Sequence, residues 1–149
     1  MNIAKKYFFI PIIIIAAIVA LYYWKNPLVP KLEINKTTFT YELAITPEQL
    51  TQGLSGRDPL PSLHGMLFVF DHEEQFKFWM KEMKFPLDLI WIDNKTVVDI
   101  TKNAPIPVPG QNLPLYSPKK AVNRVLEVTA GTADQYNIKE GDSVNYLKR

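Results

Sequence analysis

Two carboxylates stand where the surrounding pattern is apolar. Asp88 follows Phe85-Pro86-Leu87 and enters Leu89-Ile90-Trp91-Ile92, and Glu127 interrupts Arg124-Val125-Leu126-Glu127-Val128. Alternate residues of an extended chain share a face, so Asp88 falls with Ile90 and Ile92, and Glu127 with Val125. A carboxylate on an apolar face must find a cation or hydrogen-bond donors, or it takes up a proton. Two such groups serve as acid and base when their surroundings separate their pKa values, and spacings of ~5–9 Å suit glycoside chemistry. Asp88 and Glu127 are therefore the candidate catalytic pair of a carboxylate-based hydrolase.

A second set of residues suggests binding rather than turnover. In Phe76-Lys77-Phe78-Trp79-Met80-Lys81, alternation puts Phe76, Phe78 and Met80 on a core face and Trp79 between two lysines on the other. Trp79 either packs beneath a neighbouring loop or offers a stacking platform. Arginine is scarce, with Arg57 and Arg124 the only two before the last residue, and its forked donors suit carboxylates as lysine does not. Arg57 lies in the turn-rich Gly53-Leu54-Ser55-Gly56-Arg57, able to fold back over a barrel mouth. Arg57, Trp79, Asp88 and Tyr116 are the candidate ligand-binding residues; an internal ion pair that pins a loop is the structural alternative. Asp71-His72-Glu73-Glu74 reads as a solvated turn and His64 as a loop residue. No metal set, cofactor motif or glycine-rich phosphate cradle is evident, so neither a metal nor a cofactor is expected. Without cysteine the chain has no disulfide and no thiolate nucleophile.

The elements that position these residues read mostly as strands. Leu32–Ile34 and Thr37–Ile45 flank Asn35-Lys36, and Leu89–Ile92 and Thr96–Thr101 flank Asp93-Asn94-Lys95, giving two hairpins. Gly65–Phe70, Phe76–Met80, Val122–Thr129 and Ser143–Leu147 complete the strands. Pro47–Leu54 reads as a short helix with Thr46 as N-cap and Gln49 closing the capping box, and Thr132–Asn137 as a second. The expected fold class is mainly β: a small closed or partly open barrel or sandwich with one or two short helices. Ala104–Pro118 holds five of the twelve prolines and cannot enter a sheet interior; it is expected to lie over one mouth of the barrel. Asn35 and Asn94 match the glycosylation acceptor pattern, but hairpin turns also explain them.

Ahead of this body, Tyr7–Trp24 runs for eighteen residues without a charge. As a helix it spans about 27 Å, close to the ~30 Å of a bilayer interior. Aromatic residues stand at both ends, and Ala16, Ala17 and Ala20 lack the spacing of a cleavage site. The expected organisation is a cytoplasmic tail over 1–6, a single transmembrane anchor over 7–24, a linker over 25–31 and an extracytoplasmic β domain over 32–149. Lys5 and Lys6 set the orientation. From Lys25 onward fifteen basic residues balance fifteen acidic ones, which excludes a basic footprint for nucleic acid. The expected partners are the membrane and an envelope ligand or a membrane protein.

In order along the chain come Thr46-Pro47-Glu48, Gly53-Leu54-Ser55-Gly56-Arg57, Gly65-Met66-Leu67-Phe68-Val69-Phe70, Phe78-Trp79-Met80-Lys81, Pro86-Leu87-Asp88, Tyr116, Glu127, Ala130-Gly131-Thr132 and Gly141-Asp142. This series resembles the bacterial and archaeal family termed domain of unknown function 192. The resemblance implies a small, mainly β barrel domain, often behind a signal or anchor segment, and no particular reaction. Members often carry a cysteine pair in the loop corresponding to Ala104–Pro118, and this chain has none.

Overall fold

The computed structural model describes residues 3–25 and 29–147. Helix α1 spans Ile3–Lys25 and contains the whole of the charge-free run. Its side chains are described for residues 12–22 and 24, and within what is described no helix is long and apolar enough to cross a membrane. The expected tail over 1–6 and linker over 25–31 lie partly outside the described residues.

The body is mainly β. Strands β1 (Lys31–Ile34) and β2 (Thr37–Ala44) form the first hairpin, closed by Asn35 and Lys36, both at positive φ (47° and 63°), as a tight two-residue turn demands. Helix α2 (Pro47–Gln52) follows, then β3 (His64–Glu74), β4 (Phe78–Trp79), β5 (Leu87–Asp93) and β6 (Thr96–Ala104). Strand β7 (Leu115–Tyr116), β8 (Val122–Thr129), helix α3 (Thr132–Gln135) and β9 (Val144–Leu147) complete the chain. The capping box of α2 is formed as expected: the Thr46 hydroxyl accepts from the Gln49 N–H, and the Gln49 side chain accepts from the Thr46 N–H.

Seven strands make one sheet in the order β6-β5-β8-β3-β2-β1-β9, antiparallel except between β2 and β3. The sheet curls until its edges meet at one corner. There Thr96 bridges Ser143, the Val97 N–H donates to the Asp142 carbonyl at 2.9 Å, and the Val144 N–H donates to Lys95 at 2.8 Å. The result is a half-barrel, and the junction covers part of two edges that would otherwise recruit other strands.

Both faces of the central strands are buried, which explains the nearly unbroken apolar run of β5. One face gathers Phe39, Leu67, Ile90, Ile92, Leu126 and Val128 with Ala133 of α3. The other gathers Phe68, Leu87, Leu89, Trp91 and Val125 with Leu54, Met80 and Met83. One expectation needs correction. The strand expected over Phe76–Met80 is only Phe78–Trp79, because the chain turns at Lys81-Glu82, with Glu82 at φ 56°. The proline-rich loop stays out of the sheet interior as expected, but adds a short strand, β7, paired with β4 in a separate two-stranded ribbon. Its end is tied down where the Gln75 amide donates to the Pro118 carbonyl at 3.0 Å.

Candidate functional site

Asp88 and Glu127 occupy the faces that alternation assigns to them, and those faces are opposite. Asp88 pairs across the sheet with Val128, whereas Glu127 pairs with Leu89. Asp88 has no exposed surface. Its Oδ1 accepts from the Asn103 N–H and its Oδ2 from the Ala133 N–H, both at 2.8 Å. Asn103 sits at φ 53° near the end of β6, and Ala133 lies in the first turn of α3. Asp88 therefore fastens two backbone segments through their N–H groups. The acid–base pair expected from Asp88 and Glu127 does not form, because the sheet stands between them.

The trio of Arg57, Trp79 and Asp88 is not assembled either. Arg57 is exposed, and its Nη1 donates to both carboxylate oxygens of Glu42, at 2.8 and 2.9 Å. That contact holds the Glu42 carboxyl below its usual range, assisted by His64, whose Nε2 stands 3.4 Å away. His64 is thus the first residue of β3 rather than a loop residue, and its Nδ1 lies 2.8 Å from the Thr40 hydroxyl. Arg124, unlike Arg57, pairs with no carboxylate among the described residues: its guanidinium stands 5.4 Å from the centre of the Tyr146 ring, and its Nη1 donates to the Asn123 side-chain oxygen at 2.8 Å. Tyr116 is half-buried behind β4, opposite Phe78. Asp71, His72 and Glu74 form an exposed cluster at the end of β3, in which the contact with Asp71 raises the His72 pKa.

Glu127 and Trp79 do share a site. A cavity of about 240 Å³ lies between the end of α2 and the segment from Phe76 to Met83. Phe68, Phe70, Phe76, Phe78 and Trp79 supply its aromatic walls, and Glu127 and Gly53 lie among its lining residues. Its rim is held by two bonds between loops: the Ser55 hydroxyl donates to the Lys81 carbonyl at 2.8 Å, and the Gly56 N–H donates to Glu82 at 2.9 Å. Phe78 is fixed by edge-to-face contacts with Phe68 and Trp91, at centroid distances of 5.0 and 5.3 Å. Trp79, alternating with Phe78, is 47% exposed and is not covered by the proline-rich loop as expected of a packed residue.

Glu127 is 5% exposed, and its Oε2 has no hydrogen-bond partner among the described residues. Burial with no compensating donor pushes its pKa up to about 8, so at neutral pH the carboxyl is mostly protonated. Gly53 keeps side-chain atoms away from this oxygen. It ends α2 at φ 51°, and a Cβ there would stand 3.0 Å from Phe68 Cζ and 3.8 Å from Glu127 Oε2. Any side chain at this position would fill the space beside the carboxyl and strain the backbone. Sequence reading missed the part played by Gly53, Phe68, Phe70 and Phe76. Its only available signal was a glycine directly after a well-capped helix.

A mainly β half-barrel with a small aromatic pocket over one buried carboxyl is the class these features define. The family profile described as Uncharacterized ACR, domain of unknown function 192, matches residues 30–146. The chain belongs to that family. A crystal structure of a Sinorhizobium meliloti protein, provisionally called a transcription regulator, is similar: 30% identity over 78% of this chain and 92% of that one, TM-score 0.71. A protein of unknown function from Novosphingobium aromaticivorans is similar as well, at 27% identity over 81% of this chain and 90% of that one, TM-score 0.72. No curated protein matches the chain.

Proposed function

We propose that the protein is a single-pass membrane-anchored binding or accessory module whose β domain stands on the extracytoplasmic side and takes an envelope ligand, part of a glycan or peptide, into the pocket of Trp79 and Glu127. The observation that carries this reading is the buried, unpartnered carboxyl of Glu127 among the residues that line an aromatic pocket. Buried polar atoms without a partner are few in native proteins and each asks for an explanation; Glu127 Oε2 differs from the other one among the described residues, Thr129 Oγ1, in belonging to a residue that lines the cavity. The cavity of about 240 Å³ is smaller than the ~300–1,000 Å³ of whole-ligand sites, so it suits one ring or one side chain of a larger molecule.

The anchor is supported by the charge-free run Tyr7–Trp24 within a continuous 23-residue helix, and the orientation by Lys5 and Lys6. The regulator role given to the Sinorhizobium protein is not adopted, because this domain's charges balance and offer no phosphate-binding face. The hydrolase reading falls with the separation of Asp88 from Glu127.

Titration of the detergent-solubilised protein with envelope fragments tests the binding reading. Saturable binding that Trp79→Ala weakens at least tenfold is expected; absence of saturation, or indifference to Trp79→Ala, refutes it. Alkaline carbonate extraction should leave the protein in the membrane pellet, and external protease should degrade the β domain of spheroplasts. Release into the carbonate supernatant removes the anchor.

A further inference from the structure

We propose that the ligand group entering the pocket is an organic ammonium cation, with Glu127 as its counter-charge and the rings of Phe76, Phe78 and Trp79 as its walls. This rests on the binding reading above and names the chemistry of the ligand. The argument begins with what the buried oxygen can accept. Glu127 Oε2 is enclosed, has no hydrogen-bond partner among the described residues, and stands 3.8 Å from where a Cβ on Gly53 would be, so the residue at that position puts no side chain between the carboxyl and the cavity it lines. A purely apolar ligand leaves that oxygen unpaired and the carboxyl desolvated. A metal ion needs several oxygen or nitrogen donors, whereas the lining around Glu127 is mostly rings and aliphatic chains, and no group of three metal-ligating side chains occurs among the described residues.

An ammonium group satisfies both halves of the lining. Its charge meets a carboxylate on one side, and its polarised CH or NH surface meets aromatic rings on the other. Lys77 is the other ionisable residue among those lining the cavity, and it is exposed at the rim. It disfavours a cation by long-range repulsion that water and salt weaken, while the carboxyl is buried and acts at full strength. Strands β3 and β5, which flank Glu127, contribute Met66, Phe68 and Leu89 on this face, and the end of α2 contributes Gly53 and Leu54, so no other ionisable side chain faces it there.

Cation binding requires Glu127 to be ionised, so it must release a proton near neutrality. Because burial holds the acid form up to about pH 8, affinity for a cation should rise about tenfold per pH unit between pH 6 and 7.5 and flatten above pH 8.5. A neutral ligand of the same shape should show no such slope.

The test uses the full chain in phosphatidylglycerol nanodiscs, titrated calorimetrically with choline and with its neutral isostere 3,3-dimethylbutan-1-ol. Choline should bind more tightly above pH 8, with the slope given, and should shift Trp79 emission, identified by its loss in Trp79→Phe. Glu127→Gln, which keeps the fold, should weaken choline at least tenfold at pH 8.5 and leave the alcohol unaffected. Lys77→Met should tighten choline severalfold. Equal binding of alcohol and choline at every pH overturns the cation inference but leaves the pocket reading in place. Failure of both probes, with saturable envelope-fragment binding intact, also overturns it; failure of all three removes both readings. Repeating the titration in phosphatidylcholine nanodiscs assigns the source: a lost choline signal means that a lipid headgroup occupies the pocket, and an unchanged one means a soluble or peptide-borne ammonium.

Discussion

Replacing Glu127 by Gln should make the protein more stable, by an amount that depends on pH. In the folded state the Glu127 carboxyl keeps its proton to about pH 8; in the unfolded chain it loses it near the ordinary value of 4.5. Below pH 4.5 both states carry the proton and the group is indifferent to folding. Between pH 4.5 and 8 the unfolded state alone ionises, which favours unfolding by about 1.4 kcal/mol per pH unit. The stability present in acid is thus lost as pH rises through this window. The loss reaches about 3 kcal/mol at pH 7 and about 5 kcal/mol above pH 8, when the folded protein must ionise a buried carboxyl. Glutamine has nearly the same shape and no charge to lose. Denaturant unfolding of the full chain in nonionic detergent, followed by near-ultraviolet circular dichroism, should give equal stabilities for the two proteins at pH 4. Glu127→Gln should lead by about 3 kcal/mol at pH 7, a large share of the ~5–15 kcal/mol of a typical domain. A variant less stable than the parent at pH 7, or a gap that does not widen from pH 5 to 8, would refute the reasoning that Glu127 is buried without a partner.

Four further expectations follow from the same geometry. Asp88→Ala leaves the N–H groups of Asn103 and Ala133 unpaired inside the fold; at about 1–3 kcal/mol each, denaturation should show a loss of about 2–6 kcal/mol, and a loss below 1 kcal/mol would contradict it. Arg57→Ala breaks only an exposed pair with Glu42 and should cost less than about 1 kcal/mol by the same assay. Thr46→Ala removes the cap of α2 and should cost about 1 kcal/mol; because α2 ends at Gly53, ligand binding should weaken with it. Gly53→Ala, strained at φ 51° and crowding Phe68, should destabilise by about 1–2 kcal/mol and abolish ligand-induced change in Trp79 emission.

Much of the architecture was written in local patterns. Period-two alternation assigns Asp88 to the face of Ile90 and Glu127 to that of Val125, and both assignments match the sheet. Asn35-Lys36 and Thr46-Pro47-Glu48-Gln49 define a turn and a capped helix through contacts within four residues. What alternation does not convey is which strand lies beside which. The parallel pairing of β2 with β3 across α2, and the insertion of β8 between β3 and β5, depend on contacts remote in sequence. The partners of the charges were illegible for this reason. His64 comes to Glu42 because β2 lies beside β3, Arg57 reaches Glu42 from the loop after α2, and Asp88 meets the backbone of residues 15 and 45 positions away, where side-chain identity gives no clue.

The two buried carboxylates differ in what has been built around them, and that difference separates structure from function. The same strand-paired layer, β5 against β8, carries Asp88 on one face and Glu127 on the other. Around Asp88 the chain supplies two N–H donors, one from each of two segments it ties together, so both carboxyl oxygens are partnered and removal is costly. Around Glu127 it supplies rings, a glycine where a side chain would fill the gap, and no donor to Oε2. On the binding proposed above, the ligand rather than the fold provides the partner of a group that weakens the free protein at neutral pH. The ordering of effects makes this checkable without knowing the ligand. Asp88 substitutions should destabilise, Glu127→Gln should stabilise above pH 5, and saturating the pocket with a cation should bring the parent protein's stability at pH 8 up toward that of Glu127→Gln while leaving the variant unchanged. A cation that stabilised both proteins equally would place its site elsewhere on the molecule.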